Sequence, residues 1–420
     1  MGDVPPASRS RRSRLVRTTA LTATAVLILG GVGAAAADRR DAPRDRPQAR
    51  NLILFVGDGM GVSHRSAGAL ATVGLDGELV MDGLPHAGLV RTDPADPGNS
   101  VTDSAAAGTA LATGVKTHNG VIGLDAGGRP VETVLERAEA AGLSTGLVTS
   151  GEVTDATTAA FGAHVPDRDQ QTEIARQFLE ETGVDVILGG GEDFWYPPTD
   201  PGRIPGGTSQ SGQGDLVQRA EALGYSYVSD GAGLAAARGD KVLGLFANRT
   251  MFLAAPEPAG TNHRRVSLAE MTRKAIDVLS RDDGGFLLVV EEEAVDGQAH
   301  ANNAGRTIEA VQLLDRAVAV GTRFAERHDD TLVITTADHE TGGMAIEDAG
   351  SPPSAEDGPF DVAGSDRRFV VGWTTDGHTD ADVPLTAAGP GAERLRGRHD
   401  NTYVHQVMAE ALFGTRRGGR

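Results

Sequence analysis

Five short runs of mostly apolar residues recur along the chain, and each is followed within two residues by glycine or an acidic residue. They cover residues 52–56, 143–149, 184–188, 286–290 and 332–336. Strands without a polar alternation are buried on both faces, which is typical of a parallel sheet covered by helices on each side. The sequence therefore predicts an α/β fold, a three-layer α/β/α sandwich around a mostly parallel central sheet.

The segments between these runs carry helix and loop signals. Ser267 and Glu270 have the spacing of a capping box, and the apolar residues that follow lie on one helical stripe. A second helix is predicted at about 306–324. Glycine, proline and serine are concentrated near 197–216 and 348–365, where long loop insertions are predicted.

The N-terminal region, 1–37, has the pattern of an export signal. A basic segment with five arginines precedes an apolar run at 18–33 and four alanines at 34–37, where cleavage is expected. Charged and proline-bearing residues at 38–50 predict a linker, and one large domain follows at 51–415. No transmembrane helix is predicted in the mature chain. Two alternatives stay open: an uncleaved N-terminal anchor, and twin-arginine rather than general secretory export.

The cysteine content excludes a disulfide-stabilised protein, and the net charge argues against a nucleic-acid-binding one. The chain has no cysteine, so an exported form has no disulfides and is stabilised by its core or by bound metal. The formal net charge is −19, and removal of the signal, which carries five arginines and one aspartate, leaves about −23. This charge argues against nucleic acid as a partner. It also means that only a strong local positive charge could hold an anionic substrate.

Metal-ligating side chains stand where three of the predicted strands end. Asp58 follows the first run and Glu291 follows the fourth. Asp338 and His339 follow the fifth. A single acidic residue after a strand is usually a turn or cap residue. However, ligands of open α/β sheets bind beyond the carboxyl ends of the strands, so acids at three strand ends indicate one shared site.

Two further spacings favour metal binding. Asp296 and His300 are four residues apart, so one helical turn would place both side chains on the same face. His378 follows Gly377 in what we expect to be a loop. Sets of Asp and His suit zinc, whereas carboxylates with a Thr hydroxyl suit magnesium. Seven other histidines lack such a setting and are interpreted as ordinary surface or core residues: His64, His86, His118, His263, His328, His399 and His405.

The stretch VTDSAAAGTA at 101–110 places Ser104 before a run of very small residues. One interpretation is structural, since Ser or Asp at a helix N-terminus caps the free backbone N–H groups. The other is a nucleophile aimed at an anion, because a helix N-terminus offers N–H donors and attracts negative charge. The local sequence leaves both interpretations open.

Taken together, these motifs resemble those of the alkaline phosphatase family. The resemblance covers nearly all of the chain after the signal and keeps the family's order of motifs. Besides VTDSAAAGTA, the matching segments are FVGDGMG, TGVKTHNGVIG, EVTDATTAAFGAHVPDR, DVILGGG, VEEEAVDGQAH, TADHETGG and DGHT. The resemblance implies an alkaline-phosphatase-like fold and a phosphate-monoester hydrolase whose phosphorylated nucleophile is Ser104.

The resemblance also implies three metal sites. Three side chains would hold the first zinc ion: Asp296, His300 and His378. Three would hold the second zinc ion: Asp58, Asp338 and His339. Four would reach a magnesium ion, directly or, for the second of them, through a bound water: Asp58, Asp155, Thr157 and Glu291. Glu291 is favoured over Glu292 and Glu293 because it lies five residues before Asp296, which is the family spacing.

Arg168 and Asp103 complete the implied substrate site. Arg168 is similar to the arginine that clamps phosphate in the family. From the local sequence alone, the alternative is a solvated arginine that pairs weakly with Asp167 or Asp169. Three divalent ions and one arginine would give this acidic protein a positive site for phosphate.

The implied activity is that of an exported alkaline phosphatase acting on small phosphate monoesters, without nucleic-acid or membrane partners after signal cleavage. Family analogy also implies a homodimer. The sequence departs from part of the family at Gly297, where other members carry Lys, His or Trp.

Two alternatives to an alkaline phosphatase remain. A phosphodiesterase of the same superfamily would replace the serine motif, and an exported metal- or phosphate-binding protein that has lost catalysis would lack the nucleophile or a ligand.

Overall fold

A computed structural model describes three segments of the chain: 49–252, 266–350 and 357–414. The predicted export signal at 1–37 and residues 38–48 of the predicted linker lie outside these segments. The end of the predicted linker belongs to the folded domain, because Ala49 is buried and its N–H donates to the carbonyl oxygen of Ala411 at 2.8 Å. None of the helices in these three segments has the length and apolar character of a membrane span.

The described residues form fifteen strands and eleven α-helices, with short π- and 3₁₀-helical turns at 178–182, 192–194 and 392–395. The strands are β1 (Asn51–Gly57), β2 (His86–Arg91), β3 (Ser144–Glu152), β4 (Val186–Gly190), β5 (Ser226–Val228), β6 (Val242–Leu245), β7 (Phe286–Glu292), β8 (Thr331–Thr336), β9 (Glu340–Thr341), β10 (Ala345–Asp348), β11 (Asp357–Asp361), β12 (Arg368–Gly372), β13 (His378–Thr379), β14 (Val383–Ala388) and β15 (Gly397–Asp400). The helices are α1 (Val62–Val73), α2 (Ser104–Thr113), α3 (Val134–Ala140), α4 (Ala156–Gly162), α5 (Gln171–Gln177), α6 (Leu216–Ala222), α7 (Gly231–Ala236), α8 (Leu268–Leu279), α9 (Ala294–His300), α10 (Ala304–Ala325) and α11 (Asn401–Phe413).

Ten strands form one sheet in the order β15-β2-β14-β8-β1-β7-β3-β4-β6-β5. The strands from β8 to β5 are all parallel, and β14 is antiparallel to both of its neighbours. The helices that cover the sheet form two groups, each packed within itself: α1, α8 and α10, and α2, α3, α4 and α11. Both groups contact β7. The predicted α/β architecture with a mostly parallel central sheet is therefore confirmed.

Each of the five apolar runs forms a strand of this sheet, namely β1, β3, β4, β7 and β8, and these strands are buried almost throughout. The absence of polar alternation follows from the helices on both faces. The predicted capping box also forms, since Ser267 Oγ accepts the N–H of Glu270 and a carboxylate oxygen of Glu270 accepts the N–H of Ser267 at 3.0 Å. It starts α8, whose apolar stripe packs on β3 and β7.

The parallel register brings the ends of three strands to one edge of the sheet. Val56 of β1 pairs with Glu291 of β7 on one side and with Thr336 of β8 on the other. Residues that follow β1 and β8 therefore lie beside the end of β7. This edge is where Asp58 and Asp338 leave their strands.

Helix α2 is buried along its whole length, because its alanine and glycine side chains leave room for close neighbours. It packs mainly against α4 and α11. A Cβ atom added to Gly108 would lie only 3.0 Å from the Cβ atom of Ala160 on α4. The small residues of the VTDSAAAGTA stretch thus allow α2 and α4 to approach closely, and both helices begin at the same edge of the sheet.

Two of the loop predictions are wrong in part. Within 348–365, Asp357–Asp361 forms β11 of a three-stranded sheet with β10 and β12. His378 lies in β13, which pairs with β9, rather than in a loop. β11 contains Gly358 and Pro359, which favour a loop, and lies at the surface. β13 has only two residues, too few for a strand pattern. Residues 197–215 contain no helix or strand.

Candidate active site

The predicted site residues converge at the carboxyl edge of the central sheet. Helices α2, α4 and α9 begin there, and the loops that follow β1 and β8 lie beside them. The side chains come from positions more than 200 residues apart in sequence. The contacts described below link all of them into one cluster.

Ser104 is the first residue of α2, and its hydroxyl is directed into this cluster. The helix cap is its neighbour, because Asp103 Oδ1 accepts the N–H of Ala106 at 2.9 Å. Ser104 is buried, and its Oγ lies 3.1 Å from Nε2 of His339. The capping interpretation of this stretch therefore applies to Asp103 and not to Ser104.

Nε2 of His339 has three oxygen neighbours. It lies 3.1 Å from Ser104 Oγ, 3.4 Å from Asp58 Oδ1 and 3.3 Å from Asp338 Oδ2. A ring nitrogen carries at most one proton and cannot donate to all three. Asp58 Oδ1 and Asp338 Oδ2 are buried without a hydrogen-bond partner among the described residues. One shared cation would satisfy these atoms, and zinc binds this combination of nitrogen and oxygen ligands.

A second cluster forms around α9. His300 Nε2 lies 3.3 Å from Asp296 Oδ2, and His378 Nε2 lies 3.6 Å from Asp296 Oδ1. Nδ1 of His300 contacts the carbonyl oxygen of Asp376 at 2.5 Å. Nδ1 of His378 contacts that of Thr102 at 2.8 Å. Each Nδ1 donates its proton to that carbonyl oxygen, which leaves the two Nε2 atoms 3.1 Å apart and beside Asp296. A cation bound here would take the place of any proton on Nε2.

The Asp296 carboxylate and the neighbouring imidazoles shift each other's pKa values toward the charged forms. The hydrogen bond to the Asp296 carboxylate raises the pKa of His300 to about 9. Burial alone would raise the pKa of Asp296, but the hydrogen bond from His300 and the nearby imidazoles hold it below its usual value. Ligand atoms of Asp58, Asp296 and His339 all lie within 4.8 Å of one another. Asp296 therefore joins the two clusters.

Carboxylate and hydroxyl oxygens collect next to these nitrogen ligands. Glu291 Oε2 accepts the hydroxyl of Thr149 at 2.6 Å, and the buried hydroxyl of Thr157 lies beside the same carboxylate. Burial raises the pKa of Glu291 to about 8, and repulsion from Asp155 adds to the effect. Burial and neighbouring carboxylates also raise the pKa of Asp58 well above its usual value. Crowded oxygen ligands of this kind fit a hard cation such as magnesium.

The two glutamates that follow Glu291 have other partners. Glu292 accepts the hydroxyl of Ser150 at 2.6 Å, and Glu293 accepts that of Thr250 at 3.1 Å. Burial raises the pKa of Glu292 to about 7 and that of Glu293 to about 8. Their hydrogen bonds are made to residues other than those that surround Glu291.

Arg168 is partly buried and contacts two carboxylates. Its guanidinium contacts Asp155 Oδ1 at 2.8 Å and Asp103 Oδ2 at 3.3 Å. Burial alone would lower the pKa of Arg168, but these carboxylates hold it above its usual value. The partners are thus distant in sequence, and the alternative of a surface pair with Asp167 or Asp169 is not what the structure shows. The arginine is fixed between the N-termini of α2 and α4.

Two threonines of the site were not predicted from the sequence. Thr149 hydrogen-bonds to Glu291, and Thr341 donates to Asp296 and lies 3.3 Å from Nδ1 of His339. Thr149 ends one apolar run, but only the strand order places that end beside β7. Thr341 follows His339 by two residues in TADHETGG, but only the pairing of β9 with β13 places it beside His378.

Comparisons with known proteins show which proteins this chain is similar to. The alkaline phosphatase family profile matches residues 49–358 and 360–413. Alkaline phosphatase 4 of Bacillus subtilis (strain 168) is 31% identical over 96% of this chain and 98% of its own. Alkaline phosphatase of Escherichia coli (strain K12) is 33% identical over 89% of this chain and 88% of its own. A solved variant of TAB5 alkaline phosphatase, from an Antarctic bacterium and with Mg bound in its M3 site, has a TM-score of 0.72 at 27% identity, covering 88% of this chain and 99% of that one.

Proposed function

The chain belongs to the alkaline phosphatase family and is a phosphomonoesterase, and from this premise we propose that it works through a phosphoserine intermediate on Ser104. The observation that carries the proposal is the position of Ser104 Oγ, at the N-terminus of α2 and 3.1 Å from Nε2 of His339. A helix N-terminus stabilises anions through its free N–H groups and its dipole. A phosphate group bound there would face the serine hydroxyl.

We further propose that two zinc ions and one magnesium ion complete the site. The first zinc ion would be held by Asp296, His300 and His378, and the second by Asp58, Asp338 and His339. The magnesium ion would be held by Asp58, Asp155, Thr157 and Glu291. The orphaned carboxylate oxygens and the facing imidazole nitrogens support the zinc assignments, and the Mg reported for the TAB5 variant supports the third. When bound, these ions supply positive charge for the attacking, leaving and phosphoryl oxygens.

In the first chemical step, Ser104 Oγ forms a bond to phosphorus while the ester oxygen leaves with the electrons of the P–O bond. The serine hydroxyl loses its proton, and the departing alkoxide takes up one proton to become the alcohol. In the second step, a water oxygen bonds to phosphorus and the bond to Ser104 Oγ breaks. One proton of that water restores the serine hydroxyl, and inorganic phosphate is released.

Asp103 and Arg168 would orient the phosphate in both steps. Asp103 caps α2 through one oxygen, and through the other it accepts the N–H of Gly120 at 2.9 Å and contacts Arg168. It therefore fixes the guanidinium relative to Ser104. A planar guanidinium donates two parallel hydrogen bonds to a phosphate, which a metal ion cannot do.

Substitution of this arginine has a defined expected outcome. Arg168→Ala should weaken competitive inhibition by inorganic phosphate and raise KM, because the clamp holds substrate and transition state alike. Loss of a charge-assisted hydrogen bond costs about 1.5–3 kcal/mol, or roughly ten- to a hundredfold in kcat/KM. Steady-state kinetics with an aryl phosphate measures both constants.

Arg176→Ala is the matched control for Arg168→Ala. Arg176 forms ion pairs with Glu173 of α5 and with Glu180, which follows α5, and neither glutamate is a residue of the proposed site. The Arg176→Ala variant should keep KM and the inhibition constant for phosphate within about twofold of the wild-type values. If Arg168→Ala behaves in the same way as this control, Arg168 has no part in phosphate binding.

The reaction class can be tested directly on the purified wild-type enzyme. Hydrolysis of an aryl phosphate monoester should exceed that of the corresponding bis-aryl diester by orders of magnitude in kcat/KM, because the clamp is built for a dianionic terminal phosphate. A preference for the diester would favour a phosphodiesterase of the same superfamily. No hydrolysis of either ester at any zinc and magnesium concentration would leave only a binding function.

We also propose that the protein is exported. The support is the sequence pattern of 1–37, with its basic segment, apolar run and alanine-rich cleavage site. Small phosphate monoesters are the proposed substrates. Nucleic acid is not proposed as a partner, given the strongly negative net charge. No membrane partner is proposed after signal cleavage. A homodimer is proposed by family analogy alone.

A further inference from the structure

The short ladder between β9 and β13 presents two different faces. His378 pairs with Thr341, and Thr379 pairs with Glu340. Because successive residues of a strand point to opposite faces, the first pair and the second pair face opposite ways. The first pair contacts Asp296, since Thr341 donates to it and His378 lies 3.6 Å from it. The second pair faces away from the cluster.

Glu340 gathers the hydrogen-bond donors on that second face. Its Oε2 accepts the hydroxyl of Thr379 and the N–H of Gly343 at 3.2 Å. Its Oε1 accepts the N–H of Met344 at 3.2 Å. The residue is only 5% exposed. A buried carboxylate with three donors ties the strand that carries His378 to the turn that follows β9.

The opposite side of the Glu340 side chain packs on the start of α1. A Cβ atom added to Gly61 would lie 2.2 Å from Cγ of Glu340, so this position of the FVGDGMG motif has no room for a side chain. Fully buried His64 lies next to it, with Nδ1 3.8 Å from Glu340 Oε1. The Glu340 side chain therefore packs between the loop that carries Asp58 and the strand that carries His378.

From these contacts we propose that Glu340 is a positioning residue that holds His378, through Thr379, at the first zinc site. The inference rests on the proposed zinc assignment and extends it to a side chain that touches neither metal ligand atoms nor substrate. Glu340 and Thr379 fix the backbone of β13, and the carbonyl oxygen of Thr102 fixes the ring of His378. Loss of such outer partners weakens metal binding by about 10- to 100-fold in known sites.

Zinc titration of the chelator-treated, full-length mature protein tests this role. The measurement is competition for Zn²⁺ with a chromophoric chelator, with wild type, Glu340→Gln and Thr379→Val compared. Glu340→Gln keeps the shape but turns an acceptor into a donor that faces backbone N–H groups. We expect one of the two zinc sites to lose about 10- to 100-fold in affinity, and kcat to return toward the wild-type value when zinc is saturating.

A double variant and a control separate positioning from general destabilisation. If the two residues act through one contact, Glu340→Gln with Thr379→Val should bind zinc within about twofold of Glu340→Gln alone. Glu347→Gln makes the same chemical change on neighbouring β10 and should bind zinc as the wild type does. Circular dichroism identifies a variant that does not fold, and if Glu340→Gln is such a variant, the affinity of Thr379→Val decides.

Wild-type zinc affinity in folded Glu340→Gln, or in Thr379→Val where the former does not fold, overturns the proposal. A loss of kcat that saturating zinc does not restore also overturns it. Failure of the wild-type protein itself to bind zinc would instead contradict the zinc assignment on which the inference rests. The two failures are therefore distinguishable in one titration.

Discussion

Ser104→Ala should reduce kcat for phosphate monoesters by on the order of 10³-fold or more, because the substitution removes the atom that bonds to phosphorus. The fold and the metal content should be retained. The Ala side chain fits the first position of α2, and Asp103, rather than Ser104, caps that helix. The measurements are steady-state kinetics, circular dichroism and metal analysis of the same preparation.

The control for this variant is Ser280→Ala. Ser280 ends α8 at the opposite edge of the sheet, before β7 begins. The same change there should leave kcat within about twofold of the wild-type value. A Ser104→Ala enzyme that retains more than a tenth of the wild-type kcat would mean that another group attacks phosphorus.

Removal of metal should abolish activity and also lower thermal stability. Buried carboxylates such as Asp58 and Glu291 have raised pKa values because burial and mutual repulsion oppose their ionisation, and a divalent cation offsets that repulsion. Each metal site at about 100 times its Kd contributes roughly 2.7 kcal/mol to the free energy of unfolding. Loss of two or three sites should therefore lower Tm by about 5–10 °C.

The measurement is differential scanning calorimetry with activity assays, before and after exhaustive chelation and gel filtration. Readdition of zinc should restore activity, and magnesium should increase it further. Chelator added to the calorimeter together with excess zinc and magnesium controls for effects of the chelator itself. Full activity in protein shown by metal analysis to hold less than about a tenth of an ion per chain would contradict the account.

The central part of the fold could be predicted because its signals are local. The apolar runs that become β1, β7 and β8 lack polar alternation, and only burial on both faces explains that pattern. Parallel strands have their carboxyl ends at one edge, so Asp58, Glu291 and Asp338 could be placed together without knowledge of the strand order. The four-residue spacing of Asp296 and His300 likewise needs only a helix.

Other contacts of the site could not be predicted from the sequence, because they depend on strand order and on contacts between distant segments. Thr149 reaches Glu291 only because β3 and β7 are neighbours, and nothing in either segment specifies that pairing. The partners of Arg168 lie in two helix N-termini, whereas the sequence shows only adjacent aspartates. The sequence predicts a loop at His378, because a strand of two residues has too short a pattern to detect.

The small residues after Ser104 show how far a local pattern can be interpreted. VTDSAAAGTA predicted a helix start with either a cap or a nucleophile. The structure assigns the cap to Asp103 and places the Ser104 hydroxyl beside His339. The tight contact between Gly108 and Ala160 explains the small residues by packing alone. The capping interpretation thus applies to Asp103, and the nucleophile interpretation is our proposal for Ser104, the next residue.

The most direct test of the phosphoserine mechanism is to trap the intermediate. Wild-type enzyme mixed with a ³²P-labelled phosphate monoester and quenched at acid pH should carry label that survives denaturation, since phosphoserine is stable in acid. Peptide mapping should place that label on Ser104, and the Ser104→Ala enzyme should carry none. Label on any other residue, or a turnover-competent enzyme that never becomes labelled, would contradict the account.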